Sequence, residues 1–588
     1  MGPFLHRARA TGDRSWVEAA KRLYTWTERV LTQGDGSVLN DIDSSWDGIT
    51  TFYAIQLADC LRGYRDVLDE QTTQAWEARL RRAAEFLMGY EALHENNVNY
   101  TISCALALWL AGDVTGARAY QEHAANLVTC VYGLFEASGL LYGEGVPRTA
   151  VTPQGCRPVD IGYNVEESLP LLLRYGQLAG DERAIDLARR SFAAHLDFLL
   201  PDGGWDNSFG TRKFKWTYWG SRTTDGALAA LLELSERPDD AFALVARVQL
   251  DALAACTHDG LLAGGPHYAA AGQPACVHHT FEHTKVLAEV LERGLDAKLP
   301  PAGAVDAAAV QRLPRLAQQG FRHYPELRTW IGSFGPVSAT VSAYDFEYLP
   351  GGHTSGGTLS LLHHAELGPL LCASVSEYVR RERNNMQVPY RVRHECLALR
   401  VETRVDGRVL SSVYEDAPGV HVLEQGEVAI VKVAGELKDI GHTAVDAVHA
   451  DSAVGAGNAA GAGDAAGMGN AASEVSAAGA GSGGMVYRMR YTFSSGGLEL
   501  AVELPHGATL IVPLVSEQGE RVTQGVDEDG SPVVRIDKAA GSVTLAVGAG
   551  EPLLPYGEER IFNLVPGLQA LCIDVVPHNG RVRLSLSW

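Results

Sequence analysis

The hydrophobic pattern of this chain changes once, near residue 320, and that change constrains the fold more than any other feature. Before it, apolar residues recur at steps of three and four, as between Ile185 and Leu199, which is the spacing of one buried helical face. After it, short runs alternate between apolar and polar residues, as between Leu498 and Leu504, and alternation is typical of half-buried strands. We therefore expect a helical half followed by a sheet half.

About eleven helices are expected in the first half, separated by short breaks rich in Gly and Asp. Helices joined by short loops pack as antiparallel hairpins. Several hairpins in one domain indicate an (α/α) toroid, because no strict repeat period calls for an open solenoid. The expected helices lie near residues 16–32, 48–68, 72–88, 98–111, 114–131, 163–176, 185–199, 222–235, 238–255, 276–293 and 305–317.

Short runs rich in Val, Leu and Tyr follow, with turn signals between them, and they predict an antiparallel β-sandwich. The fold class is therefore α+β and multidomain, with an N-terminal (α/α) toroid at 1–318 and a C-terminal antiparallel β-sandwich at 319–588. A Gly- and Ala-rich segment at 453–485 is expected to be a flexible insert between two strands. The expected strands are 330–341, 358–371, 395–405, 409–414, 486–493, 498–504, 509–515, 533–536, 542–547 and 581–588.

Charge and composition exclude several function classes. A net charge of −22 argues against nucleic-acid binding, which needs a basic footprint, although an acidic protein can still contain a local basic cleft. No run of about 18 apolar residues predicts a membrane span. The N-terminus lacks an apolar signal-peptide core, so we expect a cytoplasmic protein, or a secreted one if a leader is missing. The 9 cysteines are scattered without a CxxC pair, which favours reduced structural thiols.

Two polar clusters stand where apolar helices begin. One is the stretch from Asn96 to Tyr100, and the other is Gly162-Tyr163-Asn164. Asn side chains at helix starts can cap free backbone N–H groups. They can also line a cleft, and the residues alone leave both interpretations open.

The segment 204–222 combines aromatic and basic side chains between two expected helices. Aromatic faces stack on sugar rings, and the Arg guanidinium suits carboxylate and sulfate groups. This segment is therefore the best candidate for a groove that holds an anionic sugar. Its predicted substrate-binding residues are Arg212, Lys215, Trp216, Tyr218, Trp219 and Arg222.

Histidines near residue 280 form a third candidate group. His279 and His283 are spaced i, i+4 and share a helix face, which could bind a metal, but no third ligand is visible. The alternative is that His279, at the helix head, faces the ring centre and assists catalysis, or that it is structural. His363 and His364, further along, are expected to be structural.

The order of three motifs resembles the heparinase II/III-like polysaccharide lyases and their alginate-lyase relatives. Those enzymes carry an Asn-Asn-His stretch at a helix head, then a Gly-Ser-Tyr-x-Glu-Gly type loop, then a helix with the catalytic Tyr. In this chain the matching residues are Asn96-Asn97, Tyr142-Gly143-Glu144-Gly145 and Tyr163, and Val98 stands where those lyases have His. The resemblance extends to the order of toroid and sandwich, and so covers most of the chain.

The resemblance implies β-elimination on a uronic-acid polysaccharide, with glycosaminoglycans such as hyaluronan, chondroitin or heparan chains expected first and alginate second. Tyr163 would act as base and acid and Asn97 would neutralise the carboxylate, which is the hydrogen bonding that such chemistry needs. Asn99 and Glu144 are the remaining predicted substrate contacts. The lyases also place a His-x-Asp type loop at the start of the sandwich; His353 fits it, with Ser355 where the Asp would be.

Several alternatives remain open. The partner of Tyr163 is Asn97, His279 or His353. No cofactor is required by the sequence, although a structural divalent metal in the sandwich is possible. A toroid glycoside hydrolase acting on unsaturated uronyl oligosaccharides would need two carboxylates. A non-catalytic sugar-binding protein is the last alternative. The hydrolase candidates are Asp41, Asp43 and Asp47.

Overall fold

The structure is a computed structural model of the 588-residue chain. It describes residues 1–90, 96–145, 148–206, 208–211, 223–269, 272, 275, 277–347, 354–373, 379–382, 385–387, 396–425, 427–445, 484–517, 519–553, 560–561 and 568–588.

Helices occupy the first half of the chain, as the periodicity predicts. Those that precede the sheets are α1 Gly2–Thr11, α2 Ser15–Val30, α3 Thr50–Gly63, α4 Glu70–Met88, α5 Val98–Thr115, α6 Arg118–Val131, α7 Ile161–Tyr163, α8 Leu169–Ala179, α9 Glu182–His195, α10 Ala227–Leu234, α11 Ala241–Ala255, α12 Val277–Glu292, α13 Ala307–Val310 and α14 Pro314–Ala317. A short hairpin of β1 Thr257–His258 and β2 Leu261–Leu262 lies between α11 and α12. None of the described helices is long and apolar enough to cross a membrane.

Neighbouring helices form a ring. α3 packs on α5, α5 on α8, α8 on α10 and α10 on α12, while α4, α6, α9 and α11 pack against this inner series. Apolar side chains fill the ring around α5, which is buried along almost its whole length. Each fully buried Leu or Val contributes roughly 1.5–3 kcal/mol of hydrophobic free energy. The predicted toroid is confirmed.

The helix α1 was not predicted, and it closes the ring. It packs against both α12 and α3, with Leu5 and Ala8 buried. His6 Nδ1 lies 2.6 Å from a Glu292 carboxylate oxygen, and Arg9 Nη1 donates to the other oxygen of Glu292 at 3.0 Å. The apolar face of α1 is too narrow to show in the sequence, and these long-range contacts stabilise it.

Three predicted elements differ in their boundaries. The helix expected at 305–317 is two short helices, because Pro314 cannot continue a helix and begins α14 instead. The strand expected at 330–341 is a hairpin that turns at Gly335, which has a φ of 59°. The strand expected at 358–371 is likewise a hairpin, turning between His364 and Gly368.

Strands fill the second half. They are β3 Gly320–Tyr324, β4 Thr329–Phe334, β5 Val337–Ser342, β6 Thr358–His364, β7 Gly368–Cys372, β8 Val379–Glu382, β9 Asn385–Gln387, β10 Arg400–Val405, β11 Arg408–Ser411, β12 Gly419–Gln425, β13 Val428–Glu436, β14 Val486–Ser494, β15 Gly497–Glu503, β16 Thr509–Glu517, β17 Arg521–Val526, β18 Pro532–Lys538, β19 Gly541–Ala549, β20 Glu551–Leu553, β21 Arg560–Ile561, β22 Leu568–Val576 and β23 Arg581–Ser587.

Two antiparallel sheets pack face to face, as predicted. The first runs β11-β10-β16-β7-β6-β5-β4-β3, with β20, β21 and β22 attached to it. The second runs β12-β13-β14-β15-β23-β19-β18-β17. Both contribute buried side chains to one core, for example Val341 and Leu362 from the first sheet and Tyr491 and Leu500 from the second.

The toroid packs on the other face of the first sheet through buried polar contacts. Arg315 Nη1 donates to Asp206 Oδ2 at 3.0 Å, and both side chains are almost fully buried. Arg315 Nη2 donates to Thr340 Oγ1 at 2.7 Å. Ser208 hydrogen-bonds Ser360 at 3.1 Å. The order of layers is therefore toroid, first sheet, second sheet.

Replacing Arg315 with Met should destabilise the protein strongly. The Asp206 carboxylate would stay buried without its cation, and breaking a buried ion pair costs about 3–5 kcal/mol. We expect a lower midpoint of urea unfolding for Arg315→Met. The matched control is Arg312→Met on the same connection, where the side chain is exposed and the change should stay within about 0.5 kcal/mol. Equal effects of the two substitutions would contradict this role of the ion pair.

Candidate active site

The head of α5 is joined to a glycine-containing loop at residues 142–145, here called the glycine loop. Asn97 directly precedes α5, but its side chain makes no capping hydrogen bond. Its Oδ1 accepts a hydrogen bond from Gly145 N–H at 3.0 Å. Val98 N–H donates to the Gly143 carbonyl at 3.0 Å. The capping interpretation of Asn97 is therefore wrong, and the side chain holds the loop instead.

The glycine loop requires glycine at two positions. Gly143 has a φ of 111° and Gly145 a φ of 150°, which L side chains rarely adopt. A Cβ at Gly145 would also lie 2.9 Å from the Pro158 Cβ. Close packing of the loop on the segment before α7 therefore explains the Gly-x-Gly spacing.

The bond to Gly145 also orients the Asn97 amide. A backbone N–H can only donate, so the atom that faces Gly145 must be the amide oxygen. The Nδ2 group, with two N–H donors, therefore faces away from the loop. Asn97 is partly exposed, and no hydrogen bond of its Nδ2 occurs among the described residues. Asn97 thus presents two donors that a bound anion can use.

Tyr163 ends α7, which leads through a π-helical turn at Asn164–Ser168 into α8. Asp160 caps this helix by accepting a hydrogen bond from Tyr163 N–H at 3.0 Å. Asn164 Nδ2 donates to the Leu141 carbonyl at 2.7 Å, which ties the turn to the strand-like segment before the glycine loop. π-helical turns frequently occur at functional sites, and this one directly follows Tyr163 and is joined through Asn164 to the residue before the glycine loop.

Asn99 links the first turn of α5 to the π-helical turn that follows Tyr163. Its N–H donates to Glu144 Oε1 at 3.0 Å, and its Nδ2 donates to Glu167 Oε2 at 2.9 Å. All three side chains are buried, and Glu144 has 0% exposure. The structure therefore brings Asn99 and Glu144 together, as partners that hold the glycine loop and the π-helical turn. That they contact substrate stays a prediction.

A second group of ionisable side chains lies behind this site, and sequence reasoning missed it. Burial raises the pKa of Glu166 to about 8, with a hydrogen bond from Thr224 acting against it. Burial likewise raises the pKa of Asp225 to about 7, although Lys285 Nζ lies 3.1 Å from its Oδ1. The available signal was the pair of Glu residues within an otherwise apolar helix head, since carboxylates are rarely buried without a reason.

Arg148, three residues after the glycine loop, is a further residue that the sequence did not reveal. Its guanidinium is buried, and Nη1 donates to Thr101 Oγ1 on α5 at 2.5 Å. Burial lowers its pKa. This arrangement places a buried cation next to the loop that Asn97 holds.

Of the histidines of α12, His279 is buried, and His278 and His283 are partly buried. The His279 ring lies 6.5 Å from that of His278. His283 is the residue that approaches the Glu166 group, lining a small cavity with Glu166 and Thr224, and burial lowers its pKa to about 4. The role of His279 in catalysis stays a prediction.

Several predicted residues lie outside the described residues. Asp345 contacts described residues close to two of these gaps. Its Oδ1 accepts a hydrogen bond from Gly210 N–H at 2.8 Å, and its Oδ2 accepts one from Thr354 N–H at 3.1 Å. The described toroid chain before residue 212 thus meets the described sandwich chain after residue 353. The predicted residues in the gaps are His353, Arg212, Lys215, Trp216, Tyr218, Trp219 and Arg222.

Within the described ranges, no group of 3 or more His, Cys, Asp or Glu side chains is arranged to hold a metal ion. The possible sandwich metal stays a prediction. The 8 cysteines of those ranges are free thiols.

Comparisons with known proteins agree with this architecture. Residues 1–303 match the family described as the ulvan lyase N-terminal domain, and residues 321–454 and 473–587 match the ulvan lyase C-terminal domain. The chain belongs to the ulvan lyase family. A broad-specificity ulvan lyase from Formosa agariphila is 33% identical over 583 residues, which is 97% of this chain and 84% of that relative. The protein is therefore a polysaccharide lyase, and the resemblance noted from the motifs is confirmed.

Solved structures share the fold of this ulvan lyase family member. Heparinase III superposes over 99% of this chain and 74% of its own, with a TM-score of 0.52 and 10% identity. Chondroitin AC lyase of Streptomyces coelicolor A3, solved with chondroitin sulphate, superposes over 100% of this chain and 74% of its own, with a TM-score of 0.51 and 12% identity. At these identities the likeness shows a toroid followed by antiparallel sheets and no more.

The raised pKa of Glu166 predicts a pH-dependent stability. Its pKa rises from 4.5 to about 8 on folding, so the folded state keeps a proton that the unfolded state releases. Stability therefore falls as pH rises from about 4.5 to 8, by about 5 kcal/mol at most. Because Glu166→Gln cannot ionise, its Tm relative to wild type should increase across this range.

Thermal unfolding of both proteins between pH 5 and pH 9 checks this. Glu528→Gln, in an exposed turn, is the control and should follow wild type at every pH. A constant difference in Tm between Glu166→Gln and wild type would show that Glu166 does not titrate in this range.

Proposed function

We propose that this protein cleaves ulvan, a uronic-acid polysaccharide, by β-elimination at the cleft between Asn97 and Tyr163. The name of the Formosa agariphila relative supports the choice of ulvan, because that relative matches along nearly the whole chain. The position of the Asn97 amide supports the chemistry.

β-Elimination needs two kinds of group. The proton at C5 of the uronic acid is removed, a double bond forms between C4 and C5, and the C4–O4 bond breaks so that the leaving oxygen takes a proton. The C5 proton is weakly acidic while the adjacent carboxylate is charged. Donors must therefore stabilise the negative charge that develops on the carboxylate, and a base must stand at C5.

Asn97 is the proposed carboxylate-binding residue, and its geometry is the observation that carries the proposal. Its Oδ1 is engaged by Gly145 N–H at 3.0 Å, so the two N–H donors of Nδ2 are held ready before substrate binds. Preorganised donors need no reorganisation during the reaction. In the lyases of similar motif, a His at the position of Val98 neutralises the substrate carboxylate. Here the Nδ2 donors of Asn97 would take that role.

Tyr163 is the proposed base and acid. Its backbone is held by the Asp160 cap at 3.0 Å, and its helix is joined to α5 through Asn99 and Glu167 at 2.9 Å. A Tyr that takes the C5 proton as a phenolate becomes a phenol and can pass that proton to the leaving O4, so the residue would end the cycle as it began. His279 and His353 remain the alternative predicted partners of Tyr163.

The preference for glycosaminoglycans, expected from the motifs, stays a prediction, as does activity on alginate. The structural likeness to heparinase III and chondroitin AC lyase lies at 10% and 12% identity, so it supports the fold alone. A panel of purified ulvan, hyaluronan, chondroitin, heparan and alginate, followed by the ultraviolet absorbance of the C4–C5 double bond, ranks these substrates directly.

The hydrolase alternative receives no support. Asp47 accepts a hydrogen bond from Tyr90 at 3.0 Å, and Asp41 accepts from Asp43 N–H at 2.8 Å. These contacts help to hold the loop before α3. The family membership identifies a lyase, which creates the ultraviolet signal that such a hydrolase would destroy.

Tyr163→Phe should abolish most of the turnover while leaving the fold intact. Loss of a general acid–base group lowers kcat by about 10²- to 10⁴-fold. The aromatic ring is kept in Phe, so side-chain packing should be unchanged. The rate of double-bond formation on ulvan measures this. Tyr175→Phe, on the same helical run and packed against Trp109, is the control and should keep nearly full activity. A Tyr163→Phe enzyme as fast as wild type would remove Tyr163 from the mechanism.

Asn97→Asp separates the two roles of Asn97. The new carboxylate can still accept the Gly145 N–H, so Tm should change little, but it replaces two donors by a charge that repels the substrate carboxylate. We expect kcat to fall by about 10²- to 10³-fold, as for loss of a transition-state donor. Gln524→Glu, an equal charge change on an exposed strand of the second sheet, should be neutral. Retained activity of Asn97→Asp would contradict the proposed contact.

A further inference from the structure

The outer face of the second sheet carries a row of basic side chains, here called the basic stripe. Its members are His421 on β12, Lys432 on β13, Arg490 on β14 and Arg583 on β23, and all four are exposed. The strand register places them side by side: His421 pairs with Lys432, Lys432 with Arg490, and Arg490 with Ala501. Ala501 in turn pairs with Arg583.

The row crosses five adjacent strands. Neighbouring strands lie about 4.8 Å apart, so four steps span roughly 19 Å. The small side chain of Ala501 in the middle leaves the row open rather than blocked. Such a stripe is long enough to contact several charged groups along an extended chain.

Of the two neighbouring rows on the same face, one carries Glu499 and the other is also basic. Arg488 pairs with Glu503, which pairs with Arg581. Both arginines share that single carboxylate, each at 3.6 Å. Among the described residues, Lys432, Arg490 and Arg583 form no ion pair. Five Lys and Arg side chains therefore cluster on one face of a chain whose net charge is −22.

Folding does not require these charges. The inward-facing residues of the same strands, such as Val431, Tyr491 and Leu500, form the buried core. Like charges directly opposite each other on neighbouring strands are destabilising, and Lys432 stands directly opposite Arg490. A pairing that costs stability and adds nothing to the core indicates an external anionic partner.

The stripe lies far from the proposed catalytic cleft. Arg315 and Thr340 show that the toroid packs on the first sheet, and the second sheet covers the opposite side of the sandwich core. The stripe is therefore on the face that points away from the toroid, and a ligand there cannot contact Asn97 or Tyr163 at the same point.

We propose that the basic stripe is a second, non-catalytic binding site for an anionic polysaccharide chain, which it holds through the carboxylate or sulfate groups of the polymer. The identity of that polymer with the substrate rests on the proposed function. A tethered polymer raises the effective concentration of its other segments at the cleft. The stripe should thus matter for long chains and not for short oligosaccharides.

The test compares two triple variants that each remove three positive charges. The first is Lys432→Gln, Arg490→Gln and Arg583→Gln. The matched control is Arg14→Gln, Arg22→Gln and Arg404→Gln, three exposed residues without an ion pair in the described chain. Binding to ulvan is measured by affinity electrophoresis in a Tyr163→Phe background, at two salt concentrations, and turnover is measured on ulvan and on a short ulvan oligosaccharide.

We expect the stripe variant to bind ulvan on the order of tenfold more weakly, with a shallower salt dependence. Its KM for the polymer should rise, while kcat and the turnover of the oligosaccharide stay unchanged. The control should match wild type, and the stripe variant should have an equal or higher Tm. Unchanged affinity, or an equal loss in the control, would overturn the proposal.

Two further outcomes separate this proposal from others. A DNA duplex that binds the stripe as tightly as ulvan would overturn the assignment to a polysaccharide. If wild type cleaves no uronic polymer but the stripe variant still loses binding to anionic polysaccharide, the proposed function fails and the stripe stands. If ulvan is cleaved and both triple variants behave as wild type, the stripe fails and the function stands.

Discussion

Two hydrogen bonds donated by the buried residue Asn99, one from its backbone N–H and one from its side-chain amide, hold the site together. Asn99 donates to Glu144 and to Glu167, at 3.0 and 2.9 Å, and so connects the glycine loop, α5 and the turn after Tyr163. A buried carboxylate without hydrogen-bond donors destabilises the folded state, whereas one with donors holds the residues around it in place. Asn97 directly precedes α5 and Tyr163 directly precedes the π-helical turn, so both residues adjoin segments that this connection joins.

Electrostatics divides the molecule into two regions with different tasks. Inside the ring, buried carboxylates such as Glu166 and Asp225 have raised pKa values, and the Asn97 side chain is partly exposed. On the outer sheet, positive charges stand exposed in a row. An enzyme with a net charge of −22 repels a polyanion on average, so local donors and a local basic surface are both physically reasonable ways to hold one.

Much of the fold could be predicted from the chain itself. Helical and alternating periodicity located the two halves. The Asn-Asn, Tyr-Gly-Glu-Gly and Gly-Tyr-Asn motifs indicated the candidate site, because their order resembles that of the polysaccharide lyases. The incorrect predictions of element boundaries also had local causes. The turn at Gly335 was predicted as the interior of one strand, and Pro314 as the interior of one helix. The helix α1 has too few apolar residues to be recognised without its tertiary contacts.

The sequence by itself determined the class of fold and the candidate residues, since periodicity and glycine spacing act over a few neighbouring positions. Only the tertiary structure decided which contacts those residues make. It gave the Asn97 oxygen to Gly145 rather than to the helix end, paired Asn99 with a glutamate 68 residues away, and aligned Lys432, Arg490 and Arg583 in one row. The reason is that these contacts depend on how distant segments are packed and registered, and no local pattern encodes that.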